Sequence, residues 1–317
     1  MNISIIIPNF NGEELLKKNL PHVLEAVKLY RKGKIEIIIP NDPSTDKSKV
    51  IISKFINSIH EKNITGLTVD NNQKNKAGFS KNINRGVMIS SGDILILLNS
   101  DVYPHKDFLE PLLMHFEDES VFAVGCLDES IENREKVLRG RGVGVFKRGF
   151  LSHSAGSLDK KNTLWVSGGS GAFRKSIWDK FGGFDPLYDP FYWEDIDLSY
   201  QAQKSGYKVI FEPSSIVTHE HEKGVVKEMF SDDFVKKISY RNQFIFVWKN
   251  ITDPYLILLH IFWLPYHILR SLVTADWDFF GGLFLASANF VRINKSRQKA
   301  KKSFVKSDHQ VLKENNK

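Results

Sequence analysis

The chain has 317 residues, 42% hydrophobic and 26% charged, a balance that suits a globular protein with one large or two modest cores. Its formal charge of +7 is gathered at one end: from Asn294 onward eight basic residues face only Asp308 and Glu314, so the preceding body is close to neutral and a broad nucleic-acid surface is excluded. Cys126 is the sole cysteine, which rules out an intrachain disulfide or a multi-cysteine zinc site and fits a reducing compartment.

Met1-Asn2 run straight into Ile3-Ser4-Ile5-Ile6-Ile7, a short buried strand stopped by Pro8, so no signal peptide is expected. Asn9-Phe10-Asn11-Gly12 then makes a turn capping a helix from about Glu13 to Tyr30. A second apolar run, Ile37-Ile38-Ile39-Pro40, reaches the polar cluster Asn41-Asp42-Pro43-Ser44-Thr45-Asp46, followed by a helix over 48–60. The cluster suits hydrogen bonding to a base and ribose; a helix N-cap with a proline turn explains the same residues. Leu67-Thr68-Val69 reads as a third strand and Gly78 to Met88 as a third helix. Such alternation predicts an α/β fold with a mostly parallel sheet wound by helices.

Ile94-Leu95-Ile96-Leu97-Leu98 lacks polar alternation, as suits a strand buried on both faces, and stops abruptly at Asn99-Ser100-Asp101. Ligands of open α/β sheets bind beyond the carboxyl ends of the strands, so Asn99 and Asp101 are placed to share a cation or a sugar phosphate. An ordinary Asn/Asp turn accounts for them equally well. No Gly-x-Gly-x-x-Gly follows the first strand and no Walker loop occurs, so the usual phosphate cradles of dinucleotide and P-loop proteins are missing.

Taken in order, the strand ending in Pro8-Asn9-Phe10-Asn11, the 41–46 cluster, Gly78-Phe79 with Asn84-Arg85-Gly86, and Leu97-Leu98-Asn99-Ser100-Asp101 resemble the nucleotide-sugar-binding half of the family 2 glycosyltransferases, especially their rhamnosyltransferase group. The resemblance runs from Ile3 to about Gly224. It implies a GT-A nucleotide-diphospho-sugar transferase fold in which Pro8, Asn9, Asn11, Asn41, Asp42, Ser44, Asp46, Gly78, Asn84, Asn99 and Ser100 face the donor. It also implies Mg²⁺ or Mn²⁺ held by Asp101 with Asn99. Asn41 and Asn99 stand where the family commonly has Asp, so Asn41 meets a pyrimidine edge without charge and Asp101 is the principal protein charge on the ion.

Phe108 to Phe116 reads as an amphipathic helix and Val121 to Gly125 as a strand. The 128–161 stretch has no clear period and is expected to include a variable loop over the site, with Arg139, Arg141 and Arg148 solvated. Small residues at 167–171 permit close backbone approach to a ligand, or simply a flexible turn. The resemblance puts Gly168 and Gly169 under the donor sugar and makes Gly182-Gly183-Phe184-Asp185 a loop leading to the acceptor.

Phe191-Tyr192-Trp193 precede a helix whose first turn carries Glu194, Asp195 and Asp197. The helix dipole alone explains acids there; the aromatics add a stacking surface for a sugar and a desolvation that raises a carboxyl pKa toward the general-base range. The family motif places the base at the second adjacent acid, which implies Asp195 as base and Glu194 as the group orienting the acceptor, with Tyr192, Trp193 and Asp185 around it. After a late strand, Gly206 to Phe211, comes Val217-Thr218-His219-Glu220-His221; the family's metal-binding histidine matches His219, with His221 as a substitute or phosphate contact.

Phe230 to Trp248 is amphipathic, and its Tyr240-Arg241-Asn242-Gln243 is typical of the helix that closes the domain in the resembling family. The apolar, aromatic stretch from Pro254 approaches the roughly twenty residues that span a bilayer, but His260, Pro265, His267 and Arg270 interrupt it. Trp263, Tyr266 and Trp277 beside a basic tail fit helices lying on an anionic membrane; packing onto the body is the other account. The expected organisation is a catalytic domain over 1–228, membrane-interfacial helices over 229–293 and a basic disordered tail over 294–317. The implied function is inverting, metal-dependent transfer of a sugar from a dTDP- or UDP-sugar to a lipid-linked or cell-surface glycan at the cytoplasmic face of the cell membrane. A non-catalytic nucleotide- or glycan-binding relative of the same fold is the alternative.

Overall fold

A computed structural model describes residues 1–71, 78–132, 135–219 and 229–316. Strands β1 (Ile3–Ile6), β2 (Ile35–Asn41), β3 (Ile64–Asp70) and β4 (Ile94–Leu98) form a parallel half-sheet in the order β3-β2-β1-β4. Helices α1 (Glu13–Val27), α2 (Ser48–Asn57) and α3 (Phe79–Met88) make the crossovers. Every residue of β1 and β4 is buried, because helices cover both faces of these central strands.

The other half is mixed. It contains β5 (Val102–Pro104), β6 (Val121–Glu132), β7 (Glu135–Arg139), β10 (Ser170–Arg174) and β11 (Lys208–His219), in the order β4-β10-β6-β11-β5, with β7 also beside β6. Two of its pairings place the site. Antiparallel β10 sets Ser170 opposite Leu98, so the residues leading into β10 lie at the carboxyl end of β4. Antiparallel β5 sets Val102 opposite His219, which brings the end of β11 beside Asp101.

The 128–161 segment differs from the expected loop: it completes β6 and forms β7 and a hairpin of β8 (Gly142–Lys147) and β9 (Phe150–Ala155). Glycines alternating with valines hid the strand period. The close approach of Trp165, whose ring a Cβ on Gly142 would meet at 2.0 Å, shows what they are for. Arg141 is also not solvated; only 4% exposed, it donates to the carbonyl oxygens of Asn162 (2.6 Å) and Asn315 (2.9 Å).

After α4 (Leu109–Leu113), α5 (Lys175–Phe181) and α6 (Glu194–Lys204), the described residues include the helices α7 (Asp232–Asn250), α8 (Pro254–Val273), α9 (Trp277–Ala288), α10 (Phe290–Lys301) and α11 (Asp308–Asn315). The last two correct the expectation of a disordered tail. Lysine-rich composition concealed an apolar side: Ile293, Ala300, Val311 and Leu312 are buried, and Ser307 and Gln310 close a reciprocal capping box on α11. Asp308 forms an ion pair with Lys204 of α6 at 2.6 Å, both fully buried. Trp193, Tyr200, Phe246, Phe279 and Val311 share one core, so packing crosses the anticipated boundaries at 228 and 294.

Candidate active site

Three strand ends and one loop build the cleft. At the ends of β1 and β2, Pro8 stops the strand and Asn9 bridges to Asn41, its Nδ2 donating to Asn41 Oδ1 at 2.8 Å. Asn41 in turn donates to Asp70 Oδ1 of β3 (3.1 Å), and Ser44 Oγ donates to Asn41 Oδ1 (3.2 Å). A carboxylate is therefore present at this edge despite Asn41: the neighbouring strand supplies it, and Lys49 pairs with it at 2.7 Å. Asp42 accepts from Asn71 (3.1 Å) and Arg85 (3.2 Å); burial raises its pKa against the pull of these partners. Asn11 holds the facing loop, accepting from the Thr45 amide at 2.8 Å.

Two residues expected to touch the donor are structural. Asp46 accepts from the Glu13 amide (2.8 Å) and the Ser48 amide (3.0 Å), tying the starts of α1 and α2 together. Asn84 spends both ends of its amide on the Phe184 backbone, at 2.7 and 3.1 Å, fixing the glycine loop at 182–183. The partners of both lie far along the chain or in another element, which a local motif does not reveal.

At the end of β4, Asn99 donates its backbone amide to the Gly169 carbonyl (2.9 Å), and a Cβ on Gly169 would fall 2.5 Å from Asn99 Nδ2. Only glycine permits this approach. Ser100 is buried, and its carbonyl accepts from Asn19 at 2.7 Å. His219 Nε2 lies 3.4 Å from Asp101 Oδ2, and its Nδ1 lies 3.0 Å from Asp128 Oδ2. Burial disfavours charge on this imidazole, but the two carboxylates override it and push its pKa up to about 9. His221 lies outside the described residues.

These groups fit a divalent cation. Asn99 Oδ1 is buried without a hydrogen-bond partner two residues before Asp101, and with the Asp101 carboxylate and the His219 imidazole it offers oxygen and nitrogen donors of the kind that Mg²⁺ or Mn²⁺ takes. Asp128 is the carboxylate that orients the histidine from behind. Among the described residues no three His, Cys, Asp or Glu groups form a ready-made cage, so a bound diphosphate would have to complete the shell.

Opposite stands α6. Tyr192 and Trp193 have left-handed φ of 67° and 76°, two strained residues in succession just before Glu194. Asp195 Oδ2 accepts from the Gly168 amide at 3.3 Å, so the Gly168-Gly169 turn spans the distance between Asp195 and Asn99. Loss of surrounding water pushes the Asp195 pKa up to about 6. Glu194 is raised further, by burial and then by the Asp195 charge, and its Oε2 has no partner. Nearby Asp189, also lifted to about 6 by burial, accepts from the Ser80 amide at the start of α3 (2.9 Å), and the bare Cα of Gly78 makes room for it.

The aromatic platform is smaller than expected. The left-handed turn drives Trp193 inward, 5% exposed against His153 and Phe246, and Phe191 is buried as well. Of the three, Tyr192 alone is exposed, at 47%. Asp185 is likewise displaced from the acceptor role: it bonds Lys249 and Ser296, each at 2.6 Å, and caps the turn at Leu187. Residues missed in the sequence hold this loop. Arg241 of α7 donates to the carbonyls of Tyr188 (3.1 Å) and Asp189 (2.6 Å), and Asn242 to those of Phe191 (3.0 Å) and Tyr192 (2.9 Å). The polar Arg-Asn pair in an otherwise amphipathic helix was the available signal.

The model of glycosyl transferase family 2 matches residues 4–182, more than half of the chain. A protein named probable glycosyltransferase YdaM, from Bacillus subtilis, is 26% identical over 221 residues, which is 69% of this chain and 50% of that protein. The O-antigen chain rhamnosyltransferase RfbN of Salmonella typhimurium is 23% identical over 224 residues, 70% of this chain and 67% of its own. The chain thus spans half the length of the Bacillus relative. The mannosyltransferase PcManGT from Pyrobaculum calidifontis, solved with GDP-Man and Mn²⁺, shares the fold with a TM-score of 0.57 at 15% identity, over 90% of this chain and 74% of that one.

Proposed function

The chain belongs to glycosyl transferase family 2, and on that premise we propose that it moves a sugar from a nucleotide-diphosphate donor to a hydroxyl of a lipid-linked or cell-surface glycan, inverting the anomeric carbon. One observation carries the reading: a single glycine turn joins the Asn99–Asp101–His219 group to a carboxylate whose pKa is raised into the range of a working base.

In this reading Asn41, Ser44 and Asp70 meet the base of a dTDP- or UDP-sugar, and Gly168 and Gly169 leave room for its sugar. Asp101, His219 and the Asn99 amide oxygen hold Mg²⁺ or Mn²⁺, which supplies Lewis-acid neutralisation of the departing diphosphate. Glu194, whose pKa burial raises, orients the acceptor. Asp195 removes the acceptor hydroxyl proton as the new C–O bond forms on the face opposite the diphosphate and the old one breaks. No protein nucleophile takes part. The work is done at the cytoplasmic face of a membrane, supported by one helix, α8, long and apolar enough for a bilayer by length and composition.

Turnover of a panel of dTDP- and UDP-sugars with Mn²⁺ tests the assignment. Asp195→Asn is expected to lower kcat by about 100-fold or more with donor binding retained. A variant as active as the parent removes Asp195 from the base role, and binding without any turnover favours the non-catalytic alternative.

A further inference from the structure

Helix α8 is inverted relative to a soluble helix. Of its twenty residues only His260 and Ser271 are buried, while Tyr255, Leu258, Phe262, Leu269 and Val273 form an outward stripe, Phe262 at 74% and Val273 at 86% exposure. On the following helix, α9, Trp277 and Phe284 are exposed as well. Arg270 is its one formally charged residue.

The buried side is fastened to the body, so the helix lies along the protein and does not leave it. Leu256, Leu264 and Ile268 pack on the core shared with α6 and α7. His260 Nε2 accepts from Trp248 Nε1 (3.0 Å), and Nδ1 donates to the carbonyl of Gly149 (2.7 Å). Gly149 is the turn of the β8–β9 hairpin, with φ of 81°, and a Cβ there would strike the His260 Cα at 2.9 Å. His267 Nε2 bonds the Arg148 carbonyl at 2.8 Å. The hairpin tip is thereby set against the helix with Lys147 and Arg148 exposed, and the Arg148 guanidinium lies 5.4 Å from the Tyr266 ring centre and 5.9 Å from that of Trp263. An apolar stripe bordered by aromatic rings and cations matches the headgroup boundary of a bilayer. Two neighbouring acids are matched by lysines, Asp276 by Lys236 (2.8 Å) and Asp278 by Lys237 (3.8 Å).

We propose that the outer face of α8 and the 147–150 hairpin tip form one edge that docks on a membrane bearing anionic headgroups. This deepens the membrane reading above and adds a second source of charge to it: in the basic segment after residue 294, Arg297 donates to the carbonyls of Trp248 and Ile251 and Lys306 pairs with Glu314, while Lys295, Lys299, Lys301, Lys302 and Lys313 are exposed.

Flotation of the full chain with phosphatidylcholine vesicles, with and without phosphatidylglycerol, tests it, alongside donor turnover in solution as a separate readout. The chain should float with the mixed vesicles and less so at high salt. Leu258→Asp with Phe262→Asp should cut partition at least about ten-fold, and Arg148→Gln about five-fold on anionic vesicles alone. Lys301→Gln with Lys302→Gln should change little, and all variants should keep the parent's melting temperature and turnover. Absence of flotation, or a dimer in sedimentation that Phe262→Asp splits, overturns the proposal in favour of no partner or a second copy. Flotation without turnover instead counts against the transferase reading alone.

Discussion

The two ends of the cleft are built in opposite ways. At the nucleotide end, amides and carboxylates sit on the ends of parallel strands and satisfy one another: Asn9, Asn41, Ser44 and Asp70 form one chain of hydrogen bonds. At the other end, Glu194 Oε2 is buried without a hydrogen-bond partner and Asp189 Oδ2 has only Lys81 at 3.7 Å, beside two left-handed residues on a loop held by side chains from α7. In the proposed reading, recognition is preformed by the sheet, whereas reactivity lies in largely buried carboxyl groups that distant helices keep in place.

The sharpest break of this contrast is Asp195→Asn, for which kcat should fall about 10²–10⁴-fold with the donor KM little changed, measured by initial rates of transfer. Next is Asn242→Ala. It strands the carbonyls of Phe191 and Tyr192, so stability in urea should drop by about 2 kcal/mol and kcat should fall while the donor KM holds, since the nucleotide end does not depend on α7.

The pH dependence should separate the two ends without mutation. Asp195 and Asp189 have folded pKa values raised to about 6, above that of an unfolded carboxyl. Between pH about 4 and 6 the folded state therefore holds protons that the unfolded chain has released, so stability falls as pH rises through this window, while activity rises as Asp195 loses its proton. Chemical denaturation and kcat should move in opposite directions there, and Asp195→Asn should flatten the activity curve while leaving the part of the stability slope that Asp189 supplies. The smallest effect belongs to Asn41→Asp. A second carboxylate 3.1 Å from Asp70 should cost about 1 kcal/mol at neutral pH, seen in the melting temperature, with donor KM changed less than about ten-fold.

The strands β1, β2 and β4 were legible in the sequence because each is an apolar run ending in Pro or Asn, and the parallel half-sheet follows from them. Asp101 and His219 were legible as a pair only through a family pattern; their 3.4 Å approach depends on the β5–β11 pairing, which no local signal announces. The misreadings share a cause. Asp46, Asp185 and Trp193 look like site residues in their own stretch of chain, but each is claimed by a partner elsewhere: Glu13, Lys249 and Phe246. The helix after residue 307 had a readable start in Ser307 and Gln310, yet the Lys204–Asp308 pair that justifies it is a contact across 104 positions.

That pair also ties the last helix to the site. Lys204 lies on the helix that carries Asp195 and is fully buried, held by Asp308 together with the Asn250 carbonyl and the Thr252 hydroxyl. An ammonium left there without its carboxylate is disfavoured, so a chain trimmed before residue 308 is expected to seat that helix less firmly.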